Sequence, residues 1–225
     1  MTLFCSGEPF PDLYLPAFRA CCLILLILCS PASTADKVEE LSVTYSDGEY
    51  RLQITDVLDA PVEYVYRVIT DYIHEYLINP TITDVQFLPS GNEEVIRVRN
   101  ISKHCIGPFC FPVVWTGDIV TTMDGDIEVK TIPELSDFES GHAVWHIRPQ
   151  GNNTRLIYES RLNPAFFIPP VIGEMLIKKH IKDETLNTFR NIEYRALTVL
   201  ARDNKQRVDD LKKLSKRRQG INPRG

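Results

Sequence analysis

The sequence predicts an α+β domain: a curved antiparallel sheet wrapped around one long C-terminal helix, with two short helices after the first strands. Three observations predict it. Apolar residues alternate with period two through a series of short segments. The breaks between those segments are short turn clusters, which suit hairpins better than crossovers. A single long helical pattern then closes the chain.

The first pair of strands reads from Val38, with Leu41, Val43 and Tyr45 on one face, a Ser46-Asp47-Gly48 turn, and Tyr50, Leu52 and Ile54 returning. Asp59-Ala60-Pro61 opens a helix with Asp59 as the expected N-cap, and Val62, Val65, Tyr66 and Ile69 fall at helical spacing. A second short helical piece over 72–78 stops at Asn79-Pro80. Six strands are expected next, over 82–88, 94–102, 113–123, 126–132, 142–148 and 154–162. In several of them one face is apolar and the other charged: Ile96 and Val98 alternate with Arg97 and Arg99, Ile127 and Val129 with Glu128 and Lys130. The sheet therefore has one wet face. Pro169-Pro170 sets up the long helix from Val171 to about Ala201. Its first seven residues are apolar nearly all round, which predicts burial on more than one side.

At 225 residues, with 44% hydrophobic and 24% charged side chains, the chain holds one domain or at most two small ones. That balance excludes disorder, collagen and a multi-span membrane protein. Residues 20–29 are uninterrupted apolar, follow Arg19 and precede Ser-Pro-Ala-Ser-Thr-Ala, which is the pattern of a cleaved signal peptide over 1–35. The run is short of the roughly 20 apolar residues that span a bilayer. A secreted or periplasmic product is expected, with an uncleaved anchor or a mitochondrial presequence as rival readings. The folded domain is then 36–204, net −10, and the tail from Lys205 to Gly225 is net +6. A basic tail suits peripheral contact with an anionic membrane, or is simply a solvated helix end. The acidic body and the export signal argue against nucleic acid. A monomer is expected.

No phosphate loop, dinucleotide fingerprint, zinc helix or nucleophile elbow occurs, so no catalytic residue, metal or cofactor is assigned. Four of six cysteines leave with the signal segment, and Cys105 and Cys110 remain as a candidate disulfide. A metal site or a reactive thiol pair is the alternative, although two cysteines and His104 fall short of four structural zinc ligands. His142 and His146 share a strand face about 13 Å apart, too far to chelate one ion. His180 and Glu184 stand i,i+4 and suit either an acid/base or metal pair or an ordinary solvated helix face. Asp118, Asp126, Glu128 and Glu159 fall at outward strand positions.

Aromatic and aliphatic material gathers on the expected inner face: Phe87, Trp115, Trp145, Tyr158, Phe166, Phe167 and Met175. A curved sheet gripping one helix has too few helices to fill its concavity, and the apolar pocket left over is the default binding site. Asn100, Thr131 and Ser160 share the inner parity. They are candidates to orient a ligand there, or are satisfied internally.

Several words, in order, carry a resemblance. They are Asp59-Ala60-Pro61-Val62-Glu63 leading to Val68-Ile69-Thr70-Asp71-Tyr72, then Asn79-Pro80, and Gly141-x-x-x-Trp145. Gly151-Asn152-Asn153-Thr154-Arg155-Leu156-Ile157-Tyr158 and Phe167-Ile168-Pro169-Pro170 follow. The stretch from Tyr45 to Leu200 resembles the START-like superfamily (SRPBCC, polyketide cyclase/dehydrase), including coenzyme Q-binding START-domain proteins. The resemblance implies a helix-grip fold whose cavity, between sheet and long helix, takes hydrophobic ligands such as lipids, isoprenoid quinones or polyketides. Some members carry or sequester ligand, some are aromatases or cyclases, and some bind ribosomes or other proteins. A carrier binding an apolar small molecule is the expected function. A cyclase using Asn100, Thr131 or Ser160, and an interaction module using the basic tail, are the alternatives.

Overall fold

The structure is a computed structural model that describes residues 38–106, 109–166 and 172–220. The expected signal segment over 1–35, Phe167 and the Pro169-Pro170 entry to the helix lie outside the described residues. Eight strands form one antiparallel sheet in the order β1-β2-β8-β7-β6-β5-β4-β3: β1 Val38–Ser46, β2 Glu49–Leu58, β3 Ile82–Leu88, β4 Ile96–Ile106, β5 Phe109–Thr121, β6 Ile127–Thr131, β7 Phe138–Gln150 and β8 Asn153–Pro164. Between β2 and β3 come helix α1, Val62–Ile69, and a 3-10 segment, Tyr72–Leu77. Helix α2, Ile172–Gly220, closes the chain.

Strands three to eight form a meander, and the chain then returns β8 alongside β2, so the first hairpin extends the sheet from its far side. The β1–β2 turn is the two-residue connection the sequence asks for. Asp47 and Gly48 both take positive φ, 53° and 86°, between the paired Ser46 and Glu49. Such mirror-image turns match the twist of the flanking strands, and Asp-Gly adopts them at low cost.

The inward faces of the strands meet α1 and the middle of α2 around Ile54, Leu58, Val65, Val98, Ile127, Leu156, Phe189, Ile192 and Ala196, all buried. Phe189, Ile192 and Ala196 follow the i, i+3, i+7 spacing that puts one stripe of α2 on the sheet. Polar ties fix the helix at several heights. Asn191 Nδ2 donates to the Ile78 carbonyl at 3.0 Å, Asp59 N–H to Glu193 Oε1 at 2.7 Å, and Arg67 pairs with Asp203 at 2.9 Å.

Four expectations need correction. The N-cap of α1 is Pro61, with no side-chain cap; Asp59 instead accepts a hydrogen bond from Asn153 Nδ2 at 3.1 Å, drawn off by the β7–β8 turn. Helix α2 runs on past Ala201 to Gly220, so the basic segment begins as helix rather than as a break; its residues 205–213 are rich in good helix formers. The start of α2 is not buried all round: Met175 is 63% and Leu176 38% exposed, because helical rotation turns both away from the stripe that holds Ile177 and Ile181. Finally, strands β4 and β5 continue into the His104 to Pro112 stretch, pairing as far as Ile106 and Phe109. A disulfide joins Cys105 to Cys110, which face each other across that pairing. Among the described residues no helix is long and apolar enough to cross a membrane.

Candidate functional site

Sheet and helix leave a cavity of about 370 Å³ between them. Its wall is built by period-two alternation on the strands. Asn100, Ser102 and His104 come from β4; Phe111, Val113 and Trp115 from β5; Trp145 from β7; Tyr158, Ser160 and Leu162 from β8. Register aligns these into rows, with Asn100 opposite Trp115, His104 opposite Phe111 and Trp145 opposite Tyr158. Helix α2 contributes Ile177, His180, Ile181, Glu184, Thr185, Thr188 and Phe189, a face repeating every three to four residues. The 3-10 segment and the turn after it add Glu75, Ile78, Asn79 and Thr81.

One aromatic wall is a stack: Trp145 lies 4.1 Å from Tyr158 and 5.9 Å from Phe189 between ring centroids. A second aromatic group, Phe111, Phe138 and Phe166, packs with centroids 6.1 and 6.2 Å apart. Trp115 is seated by Gly117. A Cβ at that glycine would come within 2.3 Å of the Trp115 ring and 2.8 Å of the Lys130 carbonyl. The indole therefore lies across the glycine and donates from Nε1 to Thr131 Oγ1 at 2.9 Å.

The polar groups form two clusters. In the first, Asn100 Nδ2 donates to Glu75 Oε2 at 2.8 Å. Burial raises the Glu75 carboxyl above its ordinary range, against the lowering effect of the Asn100 hydrogen bond. Asn100 Oδ1 and the Tyr50 hydroxyl are buried with no protein partner. Burial also pushes the Tyr158 hydroxyl up to about 12, offset in part by its hydrogen bond with Ser160.

The second cluster joins strand to helix. His104 Nδ1 is 2.9 Å from His180 Nε2, and both nitrogens are 3.3 Å from Glu184 Oε2. Glu184 Oε1 faces the other way and accepts from Asn79 Nδ2 at 2.8 Å and Thr81 Oγ1 at 3.0 Å. Ser102 Oγ sits 2.8 Å from His104 Nε2. Burial raises the Glu184 carboxyl, yet the hydrogen bonds from His104 and His180 outweigh it and hold the group well below the usual carboxylate range.

Of the residues singled out in the sequence, Asn100, Trp115, Thr131, Trp145, Tyr158, Ser160 and Phe166 line this cavity together. Phe87 and Met175 do not. Phe87 pairs with Val98 and so shares the inner face, but β3 is the sheet edge and leaves it 52% exposed. Met175 points away from the sheet as described above. Asp118 and Glu128 stand on strands β5 and β6, paired with Arg97 at 2.7 Å and His142 at 2.8 Å, whereas Asp126 lies in the turn before β6 rather than on a strand and pairs with His146 at 2.8 Å. Sequence reasoning missed Glu75, Tyr50, Asn79 and Thr81. It left His104 as a neighbour of the cysteines and His180 with Glu184 as a pair on one helix; only the β4 register shows that the three meet.

No protein-family model and no curated protein matches the sequence. Solved structures do match the fold. The ZhuI aromatase/cyclase from Streptomyces sp. R1128 superposes with a TM-score of 0.55 at 13% identity, over 66% of this chain and 93% of that one. A START superfamily protein from Mycobacterium smegmatis gives 0.53 at 18% identity, over 66% and 98%. A STAR-related lipid transfer protein from Xanthomonas axonopodis gives 0.51 at 13% identity, over 69% and 98%. With an eight-stranded antiparallel sheet closed on a long C-terminal helix, the chain has the START-like, or SRPBCC, helix-grip fold.

Proposed function

We propose that this protein binds a hydrophobic small molecule, a lipid, isoprenoid quinone or polyketide-like compound, in the cavity between sheet and α2, and acts as an exported carrier or sequestering protein. The carrying observation is the cavity itself. Its volume of about 370 Å³ lies in the range of small-molecule sites, about 300–1,000 Å³. Leu52, Ile78, Val113, Val129 and the Trp145–Tyr158–Phe189 stack supply apolar wall. Asn100 Oδ1 and the Tyr50 hydroxyl offer unpaired polar groups to a ligand's polar end. The apolar run and small-residue site within residues 1–35 support export. The basic helical segment from residue 205, with Val208 and Leu211 exposed beside its charges, supports peripheral contact with anionic lipid.

The chain has two tryptophans and both line the cavity. Titration with a hydrophobic naphthoquinone, a saturated fatty acid and an aromatic polyketide, followed by tryptophan emission, therefore reports directly on occupancy. Saturable change with at least one of them supports the reading. No saturable change with any of the three, in a folded protein, overturns it.

A further inference from the structure

His104, His180 and Glu184 are the one group of three or more histidine, cysteine or acidic ligands that converges among the described residues. Their facing atoms form a triangle with sides of 2.9, 3.3 and 3.3 Å. An ion about 2.1 Å from three ligands sets them about 3.0 Å apart at right angles and about 3.4 Å apart at the tetrahedral angle. Two sides of the observed triangle fall inside that interval and the third lies just below it.

The surroundings orient His104 and Glu184 toward His180. Ser102 Oγ is 3.3 Å from the Val113 carbonyl and donates to it. In the tautomer whose Nε2–H donates to Ser102 Oγ, 2.8 Å away, the His104 Nδ1 lone pair faces His180 and Glu184. Asn79 and Thr81 both donate to Glu184 Oε1, which leaves Oε2 for the cluster. Hydrogen-bonded partners thus stand behind two of the three inward ligand atoms, an arrangement that positions metal ligands. A plain hydrogen-bond chain accounts for the 2.9 Å contact between the two imidazoles. The two 3.3 Å contacts to Oε2 bring a third ligand atom to the same point, while the Asn79 and Thr81 donors go to the other oxygen.

We propose that His104, His180 and Glu184 bind a divalent transition-metal ion, with zinc as the reference ion, on the cavity wall. Two histidines and one carboxylate leave a coordination position for water or an oxygen donor of a molecule in the cavity. The proposal does not depend on the identity of any apolar ligand. It gives the cavity a Lewis-acidic point in addition to its apolar wall.

The full chain, expressed without an affinity tag, purified as the cell processes it and stripped with chelator, is dialysed against Zn²⁺ and assayed for metal content. Co²⁺ is then substituted and its visible absorption recorded. One zinc per chain is expected, with cobalt bands of a four- or five-coordinate nitrogen and oxygen site. His180→Ala and Glu184→Gln are expected to weaken zinc binding at least about tenfold, and Ser102→Ala about tenfold through His104. His74→Ala, an exposed histidine paired with Asp71, is expected to change nothing. Circular dichroism checks each fold, and Ser102→Ala with Glu184→Gln decides the matter if His180→Ala does not fold. Failure of the folded chain to take up one zinc overturns the proposal, as does stoichiometric zinc unaffected by both Ser102→Ala and Glu184→Gln.

Discussion

Trp145 on β7 stacks on Phe189 of α2 with ring centroids 5.9 Å apart and planes 24° from parallel. That contact joins a central strand of the sheet to α2 and forms part of the cavity wall. Phe189 is 2% exposed, so truncating it removes a full aromatic side chain and leaves a void. Phe189→Ala is expected to cost about 3–5 kcal/mol in urea unfolding. Tyr194→Ala, at a 70% exposed position of the same helix, is expected to stay within about 0.5 kcal/mol.

Gly117 is required by the Trp115 ring rather than by its own backbone angles. Gly117→Ala places a methyl group against both the indole and the Lys130 carbonyl, and the ring has to leave Thr131. The expected cost is about 1–3 kcal/mol, typical of overpacking, together with a shift in tryptophan emission as Nε1–H loses its partner. An unchanged emission spectrum and unchanged stability would contradict this account of the Trp115 seat.

The raised Glu75 carboxyl makes stability depend on pH. Because its folded value lies above the ordinary value of 4.5, the folded state holds the proton over a range where the unfolded chain has lost it. Stability therefore falls as pH rises through that range and stays at the lower level above it. Glu75→Gln has no such fall and keeps an acceptor for Asn100. The variant is expected to gain on the wild type as pH rises above the ordinary carboxylate range in parallel denaturant titrations. A stability difference that is flat with pH, or that moves the other way, contradicts the burial of this carboxyl.

The basic end of α2 gives a membrane prediction that leaves the cavity alone. Sedimentation with vesicles containing anionic phospholipid is expected for the full chain, and to fall several-fold in about 0.5 M salt. Removal of residues 205–225 is expected to abolish it while the tryptophan-reported ligand titration is unchanged. Equal sedimentation of both chains removes the tail from the account.

Much of this fold is legible in the sequence because its signals are local. Asp47-Gly48 fixes a hairpin, period two fixes the faces of β4 to β8, and the Phe189, Ile192, Ala196 stripe fixes the helix face. The register shifts in β1, β3 and β7 lie near strand ends, so inner parity survives where the cavity is built, and seven of the ten residues expected on the inner face meet there. Phe87 shows what local pattern lacks: its face is the expected one, but only strand order reveals that it sits at an uncovered edge. The His104, His180, Glu184 cluster was illegible for the opposite reason. Each member looks ordinary along its own element, and the meeting depends on a contact between residues 76 positions apart.

The most direct test of the central claim is native mass spectrometry of the full chain purified from its expression host, followed by solvent extraction of whatever is bound. The account predicts a discrete adduct that yields a lipid, quinone or polyketide-like molecule, and that is lost or weakened when Trp145→Ala and Asn100→Leu alter the cavity wall. A folded chain that carries no adduct from the cell, and acquires none when supplied with such compounds, would contradict it.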